Sequence, residues 1–168
     1  MLHGWMDVSA SWQFVVDALA QGRHVIAPDW RGFGLTQGPR VDHYLLADYL
    51  ADLDVLLDHY VPQGPVDLVG HSMGGNIAMS FAGVRPARIR RLVNLEGFGM
   101  PATRPTQAAG RYAKWVDEVK ALHRGDMALK AYADASGVAR RLMKTNPRLP
   151  HDKAEWLAQH WAQPVQQP

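Results

Sequence analysis

Apolar residues fall into two regimes along this chain, and the change comes near residue 97. Before it, short apolar runs alternate with three-and-four patterns; after it, every pattern is helical. Leu45, Leu46, Tyr49, Leu50, Leu53, Leu56 and Leu57 recur at helical spacing and predict a helix over 44–60. Upstream, Trp12, Phe14, Val15, Val16, Leu19 and Ala20 predict another helix, capped by Ser9 or Ser11 and stopped at Gln21-Gly22. His24-Val25-Ile26-Ala27-Pro28 reads as a short strand, with a glycine-rich loop from Asp29 to Gly38 behind it. Pro62 and Gly64 mark a turn, after which Val66-Asp67-Leu68-Val69 reads as a second strand. A helix over Gly74–Val84 and a third strand over Arg90–Leu95 follow.

Alternating strands and helices predict an α/β fold with a parallel sheet and right-handed crossovers. Ligands of such sheets sit at the carboxyl ends of the strands. Here those ends are His3-Gly4-Trp5, Asp29, Gly70-His71-Ser72 and Glu96, so four segments converge on one edge. From Phe98 to Trp161 three helices are predicted, on Tyr112 to Leu122, Val138 to Met143 and Ala154 to Trp161, with prolines between them. We expect a partial α/β core over 1–97 and a helical cap over 98–168.

Composition narrows the function classes. The chain has 168 residues, 47% of them hydrophobic and 20% charged, an ordinary globular balance. A net charge of +2 is too weak to argue for a nucleic-acid partner. Arg85, Arg88, Arg90 and Arg91 cluster, but beyond the helix that leads away from the working edge, where a solvated face is expected. With no cysteine, disulfides and thiol catalysis are excluded. No metal-ligand spacing appears, no cofactor is expected, and no apolar run approaches a membrane span of about 20 residues. The start has neither a basic n-region nor an apolar h-region, so a cytoplasmic location is the default expectation.

Gly70-His71-Ser72-Met73-Gly74 carries the chemistry. The pattern G-x-S-x-G between a strand and a helix forces the central serine into a strained turn that lifts its hydroxyl off the sheet. Bulky side chains two residues to either side would collide, hence the two glycines. The turn also aims the Met73 amide and the positive end of the next helix at a developing oxyanion. Together with Leu2-His3-Gly4-Trp5 and Asp29-Trp30-Arg31-Gly32-Phe33-Gly34, in this order and spacing, the chain resembles the α/β-hydrolase superfamily over roughly residues 1–100. The resemblance implies Ser72 as nucleophile and the Trp5 amide, after His3-Gly4, as second oxyanion donor. Serine rather than aspartate at this place suits an acyl-enzyme route to esters, thioesters, amides or lactones. Carbon–carbon bond hydrolases and cofactor-free haloperoxidases of the superfamily also use serine and stay open.

The general base is missing from this reading. The superfamily places its acid after the sixth or seventh strand and its histidine after the eighth. Of the eight histidines, His71 adjoins Ser72 and points away, and His24 lies about 13 Å from the working edge at about 3.3 Å per residue. His59 is at the opposite edge, His3 reads as a loop brace, and His43 has no evident reason to face the site. His123, His151 and His160 fall in the predicted cap. Glu96 is a candidate acid or a hinge carboxylate. Met1-Leu2-His3 resembles the tail of the third strand, so a fragment is expected, lacking the N-terminal strands and the C-terminal part with the catalytic histidine, and weak alone. The expected partner is a small-molecule substrate; oligomeric state is silent. A non-catalytic binding protein on the same fold is the alternative.

Overall fold

The computed structural model describes residues 1–19, 22–38, 41, 43–126 and 130–164. Its centre is a parallel pair, β1 (Val66–His71) and β2 (Ile89–Leu95), in register from Asp67↔Arg91 to His71↔Leu95 with an irregularity at Val66/Asp67. On the other side of β1 lies Leu2, in parallel bridge with Gly70. Its N–H donates to Val69 O at 2.8 Å and its carbonyl accepts from His71 N–H at 3.0 Å. Next in line, the Met1 amino nitrogen donates to Ile26 O at 2.6 Å. The order across the sheet is therefore the Ile26 segment, Leu2, β1 and β2.

The strand predicted over His24–Pro28 has no ladder. Its neighbour offers it a single bond, from Met1, and one bond does not make a strand. The first predicted helix begins as a 3-10 turn at Ser9–Trp12 and continues as α1 (Gln13–Ala18). Neither Ser9 nor Ser11 caps it with its side chain. Asp7 organises the entry instead, accepting from Val8 N–H at 2.8 Å and from the Ser11 hydroxyl. The helix ends at Ala18, short of the predicted stop at Gln21-Gly22; Ala20, Gln21 and the tail over 165–168 lie outside the described residues.

Helix α2 (Leu46–Tyr60) and α3 (Met73–Val84) pack together over the sheet. The leucine spacing of α2 explains this face: Tyr49, Leu53 and Leu57 are its buried residues. They meet Ile77, Ala78 and Phe81 of α3, Leu68 of β1, Leu2 and Trp30 in one core cluster. The second half forms α4 (Ala108–His123), α5 (Ala135–Thr145) and α6 (His151–Trp161), at the three predicted places. Helices α5 and α6 share a small core of Ala139, Ala154 and Ala158, and the Asp134 side chain caps α5 by accepting from Gly137 N–H at 2.9 Å. Helix α4 leaves Tyr112, Trp115, Val116 and Leu122 exposed.

Three of the four clustered arginines have carboxylate partners. Arg85 pairs with Asp54, Arg88 with Asp58 and Arg90 with Asp67, at 3.2, 2.7 and 2.6 Å. No helix among the described residues is long and apolar enough to cross a membrane, and these residues contain no group of three metal-ligand side chains.

Candidate active site

The turn at Ser72 begins from crowding. A Cβ on Gly70 would stand 2.3 Å from Gly74 O, so β1 can bend into α3 this tightly only with glycine there. Between them Ser72 takes φ 51° and ψ −114°, a conformation that costs an L-residue strain. The strain is held from both sides. Ser72 N–H donates to Leu95 O at 2.8 Å, and its carbonyl accepts from Asn76 N–H at 3.0 Å. The serine is half-buried. Met73 opens α3, so its N–H belongs to the first-turn donors that have no partner within the helix.

The loop after Leu2 runs directly beside this turn. A Cβ placed on buried Gly4 would lie 3.1 Å from His71 Nδ1 and 3.3 Å from Ser72 Cβ. Trp5 follows with its side chain 66% exposed and its ring edge-on to Phe33 at 5.2 Å. His3, fully buried, fixes the loop. Its Nε2 accepts from Trp30 N–H at 2.9 Å, so Nδ1, 2.9 Å from Gly4 O, is the protonated nitrogen. The indole N–H of Trp30 returns a bond to His3 O at 3.2 Å. Burial pushes the His3 ring below the ordinary imidazole value, with the Gly4 carbonyl and the charges of Asp7 and Asp29 opposing it in part.

Asp29 and Arg31 are loop organisers. The Asp29 carboxylate accepts from Ser9 N–H at 2.6 Å and from Leu35 N–H at 2.8 Å. Burial alone would raise its carboxyl, but these donors and nearby His3 outweigh it and hold it below the usual range. Arg31 forks onto Asp52, which raises the guanidinium further.

Glu96 also has a left-handed backbone, φ 64°, and ends β2 within 4.0 Å of His71 Nε2. The structure thus brings Glu96 to His71 rather than to a histidine bonded to Ser72. The ring hydrogen bonds of histidine among the described residues belong to His3 and His160. Sequence reasoning missed His43. It lines a mostly apolar cavity of about 740 Å³ together with Trp5, Met73, Tyr49, Phe98 and Trp115. Asn76 borders the same cavity and accepts from Gly99 N–H at 2.6 Å, while the Asn94 side chain bonds both the N–H and the carbonyl of Gly97. Asn76 ties the segment after β2 to the start of α3, and Asn94 closes the turn that begins that segment.

A serine at a strained strand-to-helix turn, set at the carboxyl edge of a parallel sheet beside a second backbone loop, defines the nucleophile-elbow class of α/β proteins. The chain belongs to the α/β-hydrolase fold family, whose model matches residues 1–168. It is 43% identical over 91 residues to a 2-hydroxy-6-oxo-2,4-heptadienoate hydrolase of Pseudomonas putida, covering 54% of this chain and 33% of that protein. Identity to a 2-hydroxymuconate semialdehyde hydrolase of a Pseudomonas species is 36% over 133 residues, covering 73% of this chain and 44% of the relative. Among solved structures, the thioesterase domain of the curacin biosynthetic pathway superposes with a TM-score of 0.81 at 30% identity, covering 98% of this chain and 57% of that one. The chain thus spans between a third and a half of the length of these curated relatives.

Proposed function

We propose that this chain carries the nucleophile and oxyanion half of a serine hydrolase acting on a small or medium ester-like substrate. The observation behind this reading is the left-handed Ser72 backbone, pinned between Leu95 O and Asn76 N–H with Gly4 packed against it. Ser72 Oγ attacks the carbonyl carbon and loses its proton to a base. The oxyanion is held by the N–H groups of Met73 and Trp5. The leaving group departs with that proton, and water then cleaves the acyl-serine. A cavity of about 740 Å³ holds an acyl chain of drug-like size, and its apolar lining favours an uncharged one. The relatives named as a 2-hydroxy-6-oxo-2,4-heptadienoate hydrolase and a 2-hydroxymuconate semialdehyde hydrolase, and the neighbour named as a thioesterase domain, support a hydrolase activity. Glu96 is kept as a candidate acid, and residues 98–168 as a cap over the site.

No histidine among the described residues is bonded to Ser72, and our proposal is that the 168 residues alone are weak catalysts. Imidazole added to the buffer should replace the base. The expected result is slow fluorophosphonate labelling of Ser72 that accelerates with imidazole and disappears in Ser72→Ala. No labelling at any imidazole concentration would favour the second reading, a ligand-binding protein on this fold. Fast labelling without imidazole would show a base already in place.

A further inference from the structure

Besides packing on α5, helix α6 reaches the beginning of the chain, 150 positions away, on the segment that continues from the oxyanion loop. The Trp161 indole N–H donates to Ser11 Oγ at 3.0 Å. That hydroxyl has one proton and gives it to Asp7 Oδ1, which also accepts from Val8 N–H at 2.8 Å. With the Ser11 proton committed to Asp7, its lone pair faces Trp161. Beside this chain of bonds Trp156 meets Phe14 edge-on at 5.1 Å, and the Lys153 ammonium stands 4.8 Å over the same Phe14 ring. A third tie runs from Gln163 Nε2 to Gly34 O at 2.8 Å.

Asp7 directly follows the turn at Trp5-Met6 and ties its downstream end to Val8 and Ser11. On its upstream side the turn is anchored in the core by Leu2 and His3. On its downstream side the anchors are Asp7 and the Ser9–Asp29 bond. Between them Met6 takes φ 54° and Trp5 and Met6 are both exposed. A strained, exposed pair of residues stays in place only as firmly as its two ends are held.

We propose that α6 is a clamp on the oxyanion loop, with Trp161 and Ser11 as positioning residues that act through Asp7 to hold the Trp5 amide. The functional half of this inference rests on the reading of Trp5 N–H as an oxyanion donor; the clamp itself does not. Displacing α6 removes the donor that orients Ser11 and loosens the Ser11–Asp7 bond, leaving Val8 N–H as the remaining donor to Asp7, so the placement of the α5–α6 pair sets how firmly the turn is held.

Hydrogen exchange followed by mass spectrometry tests the clamp in the full chain. Trp161→Phe keeps the ring and deletes the N–H; Ser11→Ala deletes the relay; Ser11→Thr keeps a hydroxyl. The first two are expected to speed exchange within the peptide over residues 4–8 at the Val8 amide, which donates to Asp7, about fivefold to tenfold, the loss of one hydrogen bond, with β2 unchanged and Ser11→Thr restoring protection. Unchanged exchange over 4–8, or an equal rise in β2, overturns the clamp. Should Trp161→Phe fail to fold, the Ser11 pair decides. Imidazole-assisted phosphonylation of Ser72 is measured on the same samples. If exchange rises while labelling stays constant, the clamp stands and the oxyanion role of Trp5 falls.

Discussion

Helix α3 enters the sheet so closely under Leu2 and His3 that its second residue decides how the loop beside Ser72 lies. A Cβ on Gly74 would stand 2.3 Å from Leu2 O and 2.6 Å from His3 O. Both are backbone atoms in a segment bonded to Val69 and His71, so neither rotates away. Ordinary contact begins at 3.4 Å, so in Gly74→Ala the Leu2–Gly4 segment retreats from α3 by about 1 Å. Overpacking of this kind costs about 1–3 kcal/mol, and the better helix propensity of alanine returns about 1 kcal/mol at most. Gly83 lies in the same helix with no heavy atom near its absent Cβ. Gly83→Ala therefore stabilises by about 0.5–1 kcal/mol. The two variants are compared by urea unfolding followed by circular dichroism, and by imidazole-assisted labelling of Ser72. Gly74→Ala is expected to lower the midpoint and, through an oxyanion loop misplaced by about 1 Å, to slow labelling by about 10²-fold. Gly83→Ala should raise the midpoint and leave labelling alone. If Gly74→Ala is as stable as the parent, or if the two glycines respond alike, the close-approach argument is wrong.

Three further predictions concern the same edge of the sheet. His3→Phe leaves the buried Trp30 N–H without its acceptor and should cost about 1–3 kcal/mol in the urea midpoint. His3 also gives an acid-sensitive stability. The folded state lowers its pKa, so the unfolded chain takes up the proton first. The contribution is complete above the unfolded value of about 6.5 and is lost as the pH falls through the folded value. Comparing midpoints at about pH 8 and about pH 5 should show a larger fall in the parent than in His3→Phe, which keeps the share of the buried Met1 amine, pushed down to about 6, while equal falls would contradict the role of His3. Replacing Ser72 by glycine relieves a strained φ of 51° that alanine retains, so Ser72→Gly should exceed Ser72→Ala in stability by about 1 kcal/mol in thermal unfolding.

What the sequence made legible follows from the range over which each feature is encoded. Helix α2 was readable because seven apolar residues repeat within one short window, and the turn at Ser72 because five adjacent residues state its geometry. The segment around Ile26 looked like a strand because β-branched residues favour extended backbone, yet a ladder needs a partner, and Met1 supplies only one bond. The third strand, read over Arg90–Leu95, is present as β2, with its apolar residues Leu92, Val93 and Leu95 standing 37–47% exposed. The bracing role of His3 was anticipated, but its partners were not, since the Trp30 N–H lies 27 residues away with no local mark. His43 was missed for a related reason: it precedes α2 in a stretch without periodicity, and only the tertiary fold carries it to Met73 and Trp5. The Trp161–Ser11 bond, across 150 positions, has no signature short of the fold itself.

In the proposed function Ser72 Oγ faces an oxyanion site made by two backbone amides. A crystal structure of the protein after imidazole-assisted phosphonylation examines it directly. The account predicts a single adduct on Ser72 with the phosphoryl oxygen about 2.7–3.1 Å from the N–H groups of Met73 and Trp5. An adduct on another residue, or an oxygen turned from both amides toward solvent, would contradict it.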